Sequence, residues 1–220
     1  LQTRSGKRTA KSAIKIAIDM VKEKLISKKD AILRIEPNSL DNLLHPTLDE
    51  ISNIEIIARG LPASPGAASG KVVFSSDEAQ RLNDMMQNTI LVRVETSPED
   101  IHGMHAAKGI LTSRGGMTSH AAVVARGMGR PCVSGSSEIS IDYENKLFKT
   151  DQIQVTEGEI ITIDGSSGRI ILGEVQTIKP EISGDFSKLM SWADSFRKLK
   201  VRTNSETPKD TIIAKDFGAE

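Results

Sequence analysis

The sequence is short of cysteine, aromatics and net charge. Cys132 is the only cysteine among 220 residues, so no internal disulfide can form; this fits a reducing, cytoplasmic setting. Phe, Trp and Tyr make up 3% of the chain, too few for base-stacking surfaces. The 29 basic residues match the 29 acidic ones, which speaks against nonspecific nucleic-acid binding. No apolar run approaches the roughly 20 residues that a membrane span needs, and no signal peptide is visible. Internal repeats and low-complexity tracts are missing too. The chain starts at Leu1 rather than Met, and Glu220 falls in mid-helix, as expected of an excised piece of a longer chain.

Patterning predicts an α/β organisation. Thr9 to Leu25 reads as an amphipathic helix with Ala10, Ala13, Ile14, Ala17, Ile18, Val21 and Leu25 on one face and lysines on the other. Ser27 to Ile35 reads as a shorter helix, with Ser27 and Asp30 as a capping pair and Pro37 as its stop. A short turn at Leu40–Leu44 follows. Residues 58–70, rich in Gly, Pro, Ala and Ser, read as a loop leading into a new domain. Strands are then expected at Lys71–Phe74, Thr89–Val94, Gly109–Thr112 and Pro131–Ser134. Helices are expected at Ser76–Met86, with Ser76 as cap, and at Pro98–Ala107 and Ser119–Met128. Gln152 to Val175 alternates and carries turn signals at Glu157-Gly158 and Asp164-Gly165, which predicts β-hairpins. Gly165, Ser166 and Gly168 read as a hairpin turn rather than a phosphate loop, because no helix follows. Asp185–Lys198 reads as a helix, Val201–Thr203 as a strand and Pro208–Phe217 as a helix.

The stretch Ile110 to Gly135 carries the chemistry. It places His120 after Gly115-Gly116 and the hydroxyls of Thr118 and Ser119, at the start of an alanine-rich helix. A helix start offers unpaired N–H groups and partial positive charge, and glycines let a loop close on an anion. Arg114 and Arg126 flank this histidine, and no carboxylate lies between Arg114 and Arg130. His102 and His105 fall on another predicted element, so no zinc set forms. These residues point to a histidine that can carry an anionic group. A cap for Thr118 and a helix-bound structural role for Arg126 are the plain alternatives.

GGMTSHAAVVARGMGRPCVSG at 115–135 resembles the phosphohistidine loop, GG-x-T-[SC]-H, of the phosphoenolpyruvate-utilising enzymes. Met117 and the Pro131-Cys132-Val133 run are most similar to the pyruvate, phosphate dikinase family within that superfamily. RGLPASPGAASGKV at 59–72 and SPEDIHGMHAAKGILTSRGG at 97–116 agree. The resemblance implies a swivelling β/β/α phosphohistidine domain at 55–178, with the end of an ATP-grasp nucleotide-binding domain at 1–10. It also implies helical linkers at 11–54 and 179–198, and the first strand and helix of a C-terminal (β/α)8 PEP/pyruvate-binding barrel at 199–220.

The implied activity converts ATP, phosphate and pyruvate to AMP, pyrophosphate and phosphoenolpyruvate, reversibly. His120 would be the tele-phosphohistidine intermediate, with Gly115, Gly116, Thr118, Ser119 and Arg114 supporting the phosphate. Thr118 holds the place of a threonine that a regulatory protein phosphorylates in the plant enzymes. Gln2 and Arg4 match a Q-x-R remnant of the nucleotide site. Magnesium would sit in the flanking domains, alongside a monovalent cation such as ammonium or potassium; this chain itself would hold no metal. The expected partners are the ATP-grasp and barrel domains of the same chain, in a homodimeric full-length enzyme. The alternatives are the same domain of phosphoenolpyruvate synthase and a non-catalytic carrier or interaction module. Under any of these readings, the chain alone would not complete the reaction.

Overall fold

A computed structural model describes residues 8–48, 54–178, 184–205, 207–216 and 218–220. In chain order, the helices α1 (Ala10–Lys22), α2 (Lys28–Leu33) and α3 (Pro37–Leu44) lead into strands β1 (Thr47–Leu48), β2 (Ile56–Arg59), β3 (Leu61–Ser64) and β4 (Ala67–Val73). An alternating series follows: α4 (Ser76–Asp84), β5 (Thr89–Arg93), a 3-10 turn at Pro98–Asp100, α5 (Ile101–Ala106), β6 (Gly109–Thr112), α6 (His120–Gly127) and β7 (Cys132–Ser134). Six strands come next: β8 (Ser140–Asp142), β9 (Leu147–Lys149), β10 (Gln154–Thr156), β11 (Ile160–Asp164), β12 (Arg169–Leu172) and β13 (Thr177–Ile178). Helices α7 (Gly184–Phe196) and α8 (Pro208–Asp216) close the chain. The chain divides into two compact units, one from residues 1–37 with 182–220 and one from 38–181. No helix of the described residues is long and apolar enough to cross a membrane.

The central unit is built on an eight-stranded sheet in the order β2-β12-β11-β4-β5-β6-β7-β3. β4, β5, β6 and β7 run parallel, and the outer strands join them antiparallel. The parallel strands are apolar at successive positions because both of their faces are covered. Val72, Ile90, Val92, Leu111 and Val133 point to one side, where Phe148 and Val155 of the small β10-β9-β8 sheet, and Ile139 just before β8, pack on them. Val73, Leu91, Ile110 and Cys132 point to the other, against Ala79 and Leu82 of α4, Met104 and Ala106 of α5, and Ala121, Ala122 and Ala125 of α6. The layers are therefore sheet, sheet and helices, the expected β/β/α arrangement. Phe148, fully buried, ties the small sheet to the large one; removing such a side chain costs about 3–5 kcal/mol. Burial pushes the Cys132 thiol up to about 12 against the opposing pull of Arg126, which leaves it an inert core residue.

In the other unit α1, α2 and α7 pack together, with Ile14, Ala17, Ile18, Ala31, Leu189 and Trp192 buried. The segments read as separate linkers thus share one small helical core. Ser27 and Asp30 form the expected capping box of α2. Lysines of α1 face solvent, Lys15 and Lys22 pairing with Asp19.

Several expectations need correction. Residues 58–70 are mostly strand rather than loop: β2, β3 and the start of β4 pass through them. Their small side chains are core material, since Ala63, Ala67 and Ala68 are buried, and packing overrides low β propensity. Helix α4 is capped by Ser75, whose side chain accepts from Glu78 N; Ser76 is buried and donates to Asp100 instead. Pro37 opens α3 rather than simply ending α2. The turn at Glu157-Gly158 does not close a hairpin. β10 pairs with β9, while β11, buried along most of its length, inserts between β4 and β12. Val201–Thr203 forms no strand, having no neighbouring strand among the described residues to complete a ladder. The turn at Asp164–Gly168 is a plain β11–β12 hairpin, held by Arg169 and Ser167 on the Asp164 carboxylate.

One close approach sets how α5 meets α4. A Cβ on Gly103 would lie 2.4 Å from Ser76 Cα and 2.6 Å from its Oγ. Gly103→Ala must push the two helices apart, and we expect it to cost about 1–3 kcal/mol. A thermal midpoint unchanged in the variant would contradict this packing. Next to that contact lies the Asp100 carboxylate, 5% exposed as a residue. It accepts from Ser76 Oγ at 2.8 Å and Ser97 N at 2.9 Å, and Arg93 Nε lies 3.4 Å away. Burial raises its pKa, but the bonds from Ser97 and Ser76 and the Arg93 charge together hold it below 3.8. A carboxyl lowered on folding stabilises the fold above its unfolded value and loses that contribution as pH falls through its folded value. The difference in melting temperature between the unaltered chain and Asp100→Asn should therefore be full near neutrality and shrink below pH 3.8. A difference independent of pH would refute the assignment.

Candidate functional site

His120 is the first residue of α6, at the end of the loop that leaves β6. The helix lies low on the sheet because the residues it turns inward are alanines: Ala121, Ala122 and Ala125 are all buried. Ser119 caps it with extended backbone, its Oγ accepting from Ala122 N at 3.3 Å. The cap thus belongs to Ser119 and not to Thr118.

The loop is held from below by hydroxyls. Thr112 Oγ1 donates to the Arg114 carbonyl at 2.7 Å and lies 3.2 Å from Ser134 Oγ, which is 3.3 Å from Ser119 Oγ. Gly115 has φ +105°, and a Cβ there would sit 2.9 Å from Ser119 Cβ, so the turn needs glycine twice over. A Cβ on Gly116 would meet nothing within 4 Å; that side of the loop is open. Arg126 reaches back from α6, Nε donating to the Ala63 carbonyl at 2.8 Å and Nη2 to the Met117 carbonyl. Its role here is structural: it clamps the loop tip to β3. Arg114 is exposed, its side chain making no hydrogen bond or ion pair among the described residues. Thr118 is likewise exposed, whereas Ser119 spends both its hydroxyl and its N–H, the latter on the Gly116 carbonyl. Gln2 and Arg4 lie outside the described residues.

The imidazole is half-buried and is held at one nitrogen. Thr96 Oγ1 lies 3.0 Å from His120 Nδ1, and no protein group bonds Nε2 among the described residues. The hydrogen bond at one ring nitrogen decides what the other can do. When Nδ1 carries the proton and donates to Thr96, Nε2 keeps its lone pair. Thr96 comes from the loop after β5, 24 residues upstream, so nothing local in the sequence pairs it with His120. The Ser97-x-x-Asp100 capping box beside it was the one legible signal in that loop.

Other regions offer less. An open cleft lined by Ala68, Asn88, Lys108, Arg130, Pro131 and Gln176 lies at the opposite ends of the parallel strands from His120. Among the described residues no three His, Cys, Asp or Glu side chains converge as metal ligands.

Residues 85–168 match the family model for the PEP-utilising enzyme mobile domain, a span that includes Thr96, His120 and the small sheet. Over its whole length the chain is 63% identical to a pyruvate, phosphate dikinase of Rhizobium meliloti, of which it covers 24%. It is 56% identical to that of Clostridium symbiosum, covering 25%, and 52% identical to the chloroplastic dikinase 1 of Arabidopsis thaliana, covering 23%. The chain therefore spans about a quarter of the length of the curated relatives it matches. The loop, its histidine and these likenesses point the same way: the chain resembles the PEP-utilising enzymes, and residues 85–168 match the model of their mobile domain.

Proposed function

We propose that the central unit is the phosphohistidine carrier of a pyruvate, phosphate dikinase, with His120 Nε2 as the atom that takes up and hands on phosphoryl groups. The observation that carries this reading is the one-sided fixation of the ring: Nδ1 is held against Thr96, and no protein group among the described residues bonds Nε2. The lone pair of Nε2 attacks the β-phosphorus of ATP. An N–P bond forms, the P–O bond to the α-phosphate breaks with its electron pair, and AMP leaves. The pyrophosphorylated ring passes its terminal phosphoryl to inorganic phosphate, giving pyrophosphate. The enolate oxygen of pyruvate then attacks the remaining phosphorus and the N–P bond breaks, returning the lone pair to Nε2. A covalent carrier replaces one difficult transfer by easier steps.

In this reading the N–H groups of Gly115 and Gly116, the exposed Thr118 hydroxyl and the exposed Arg114 bind phosphate oxygens, while Ser119 shapes the loop as its cap. Thr118 is in reach of a regulatory kinase, and a phosphate there would repel the incoming one. The domain boundaries at 10, 54, 178 and 198, a homodimer, a cytoplasmic location and partner domains that bind ATP with magnesium and pyruvate belong to the same proposal.

One histidine serving two distant sites must travel, and motions of that kind turn on a few residues at element ends. Cross-linking the central unit to one neighbouring domain should leave one half-reaction and abolish the other; both surviving complete cross-linking would rule out the swing.

The direct test replaces the corresponding quarter of the Rhizobium meliloti enzyme by this chain, 63% identical to it. With ATP and pyruvate, the chimera should release pyrophosphate only when phosphate is supplied, and His120→Asn should abolish both pyrophosphate and phosphoenolpyruvate. Phosphoenolpyruvate made without pyrophosphate would mean synthase chemistry, and activity surviving in the variant would remove His120 from the reaction.

A further inference from the structure

Thr96 can orient His120 only if its own loop is fixed. That loop spans Val94–Ser97, between β5 and the 3-10 turn, and is pinned at both ends. At one end Val94 N donates to Tyr143 Oη at 2.8 Å, and Val94 O accepts from Arg114 N at 2.9 Å. At the other, Ser97 N donates to the buried Asp100 carboxylate at 2.9 Å. Arg93 joins the two pins. Its guanidinium lies 5.2 Å from the Tyr143 ring centroid and its Nε 3.4 Å from Asp100 Oδ1, while Nη1 donates to the Phe74 carbonyl at 2.9 Å. Phe74 in turn meets the Tyr143 ring edge to face, centroids 6.4 Å apart. Tyr143 follows β8, so the small sheet reaches across to hold a loop of the large one.

Resting on the carrier reading above, we propose that Tyr143 and Asp100 are positioning residues for His120, acting through Thr96. They hold the Thr96 hydroxyl against Nδ1 and so keep the ring in its Nδ1–H tautomer with Nε2 turned outward. Neither touches the imidazole according to the hydrogen bonds it makes. A hydroxyl displaced by even 1 Å would orient the ring far less well.

The test is nitrogen-15 NMR of the histidine ring in the 220-residue chain, comparing the unaltered protein with Thr96→Val, Tyr143→Phe and Asp100→Asn. The unaltered chain should show His120 chiefly as the Nδ1–H tautomer. Thr96→Val should lose that preference. Tyr143→Phe, which keeps the ring under Arg93, should lower the Nδ1–H to Nε2–H ratio roughly two- to tenfold, the scale of one hydrogen bond. Asp100→Asn should move the ratio in the same direction. Should Asp100→Asn fail to fold, Tyr143→Phe decides alone. A merely structural role would lower the melting temperature and leave the tautomer ratio of the folded variants unchanged, which would overturn the inference; so would an unchanged ratio in Thr96→Val. The carrier reading fails by a different measurement, the absence of phosphoryl transfer through His120 in the chimera.

Discussion

The position of His120 depends on how closely α6 lies on the sheet. Ala121, Ala122 and Ala125 are almost without exposed surface and rest against Ile110 and Cys132. With side chains this small, the helix axis can approach the strands without opening a void, and the dense packing resists displacement. The first turn of α6 is thereby carried to the ends of β6 and β7, where Thr112 and Ser134 hold the loop from beneath. A larger residue at any of those alanines would tilt the helix, and the imidazole would move with it.

How the ring is held explains what was legible in the sequence and what was not. The strand–loop–helix unit around His120 could be read directly, because its signals are local: an apolar run, a double glycine, a hydroxyl cap and an alanine-rich helix. The β/β/α layering followed from the resemblance, and the doubly buried parallel strands agree with it. Thr96 was invisible, since it meets His120 only after β5 and β6 pair in parallel register, Arg93 opposite Thr112. Tyr143 is further removed still and depends on a contact between layers, whereas Asp100 reaches Ser97 locally and only its bonds to Ser76 and Arg93 need the fold. The misreading of residues 58–70 has a related cause. Gly, Pro, Ala and Ser mark loops when exposed, yet here their smallness suits strands crowded by α6 and by the β11–β12 hairpin. Arg126 could be narrowed to two roles from sequence, and only the Ala63 and Met117 carbonyls select the structural one.

A carrier has two opposed requirements. Its nucleophile must be open enough for phosphorus centres bound elsewhere to approach, yet fixed enough that the approach finds the lone pair aligned. The loop divides these demands between its two sides. On the inner side Gly115, Ser119, Ser134 and Thr112 leave little slack, and Arg126 secures the tip by its carbonyl. On the outer side Gly116 faces free space, and Thr118 and Arg114 stand exposed.

The same division bears on charge. The stretch from Arg114 to Arg130 contains no carboxylate, and the nearest buried one, Asp100, is already committed to Ser76, Ser97 and Arg93. Its negative charge is spent inside the brace and does not confront an incoming phosphate. On the carrier reading, an anion at Nε2 would meet the N-terminus of α6, with the exposed Arg114 and Thr118 on the same loop. On that reading the buried charge stiffens the loop, while the exposed Arg114 would attract the phosphoryl group.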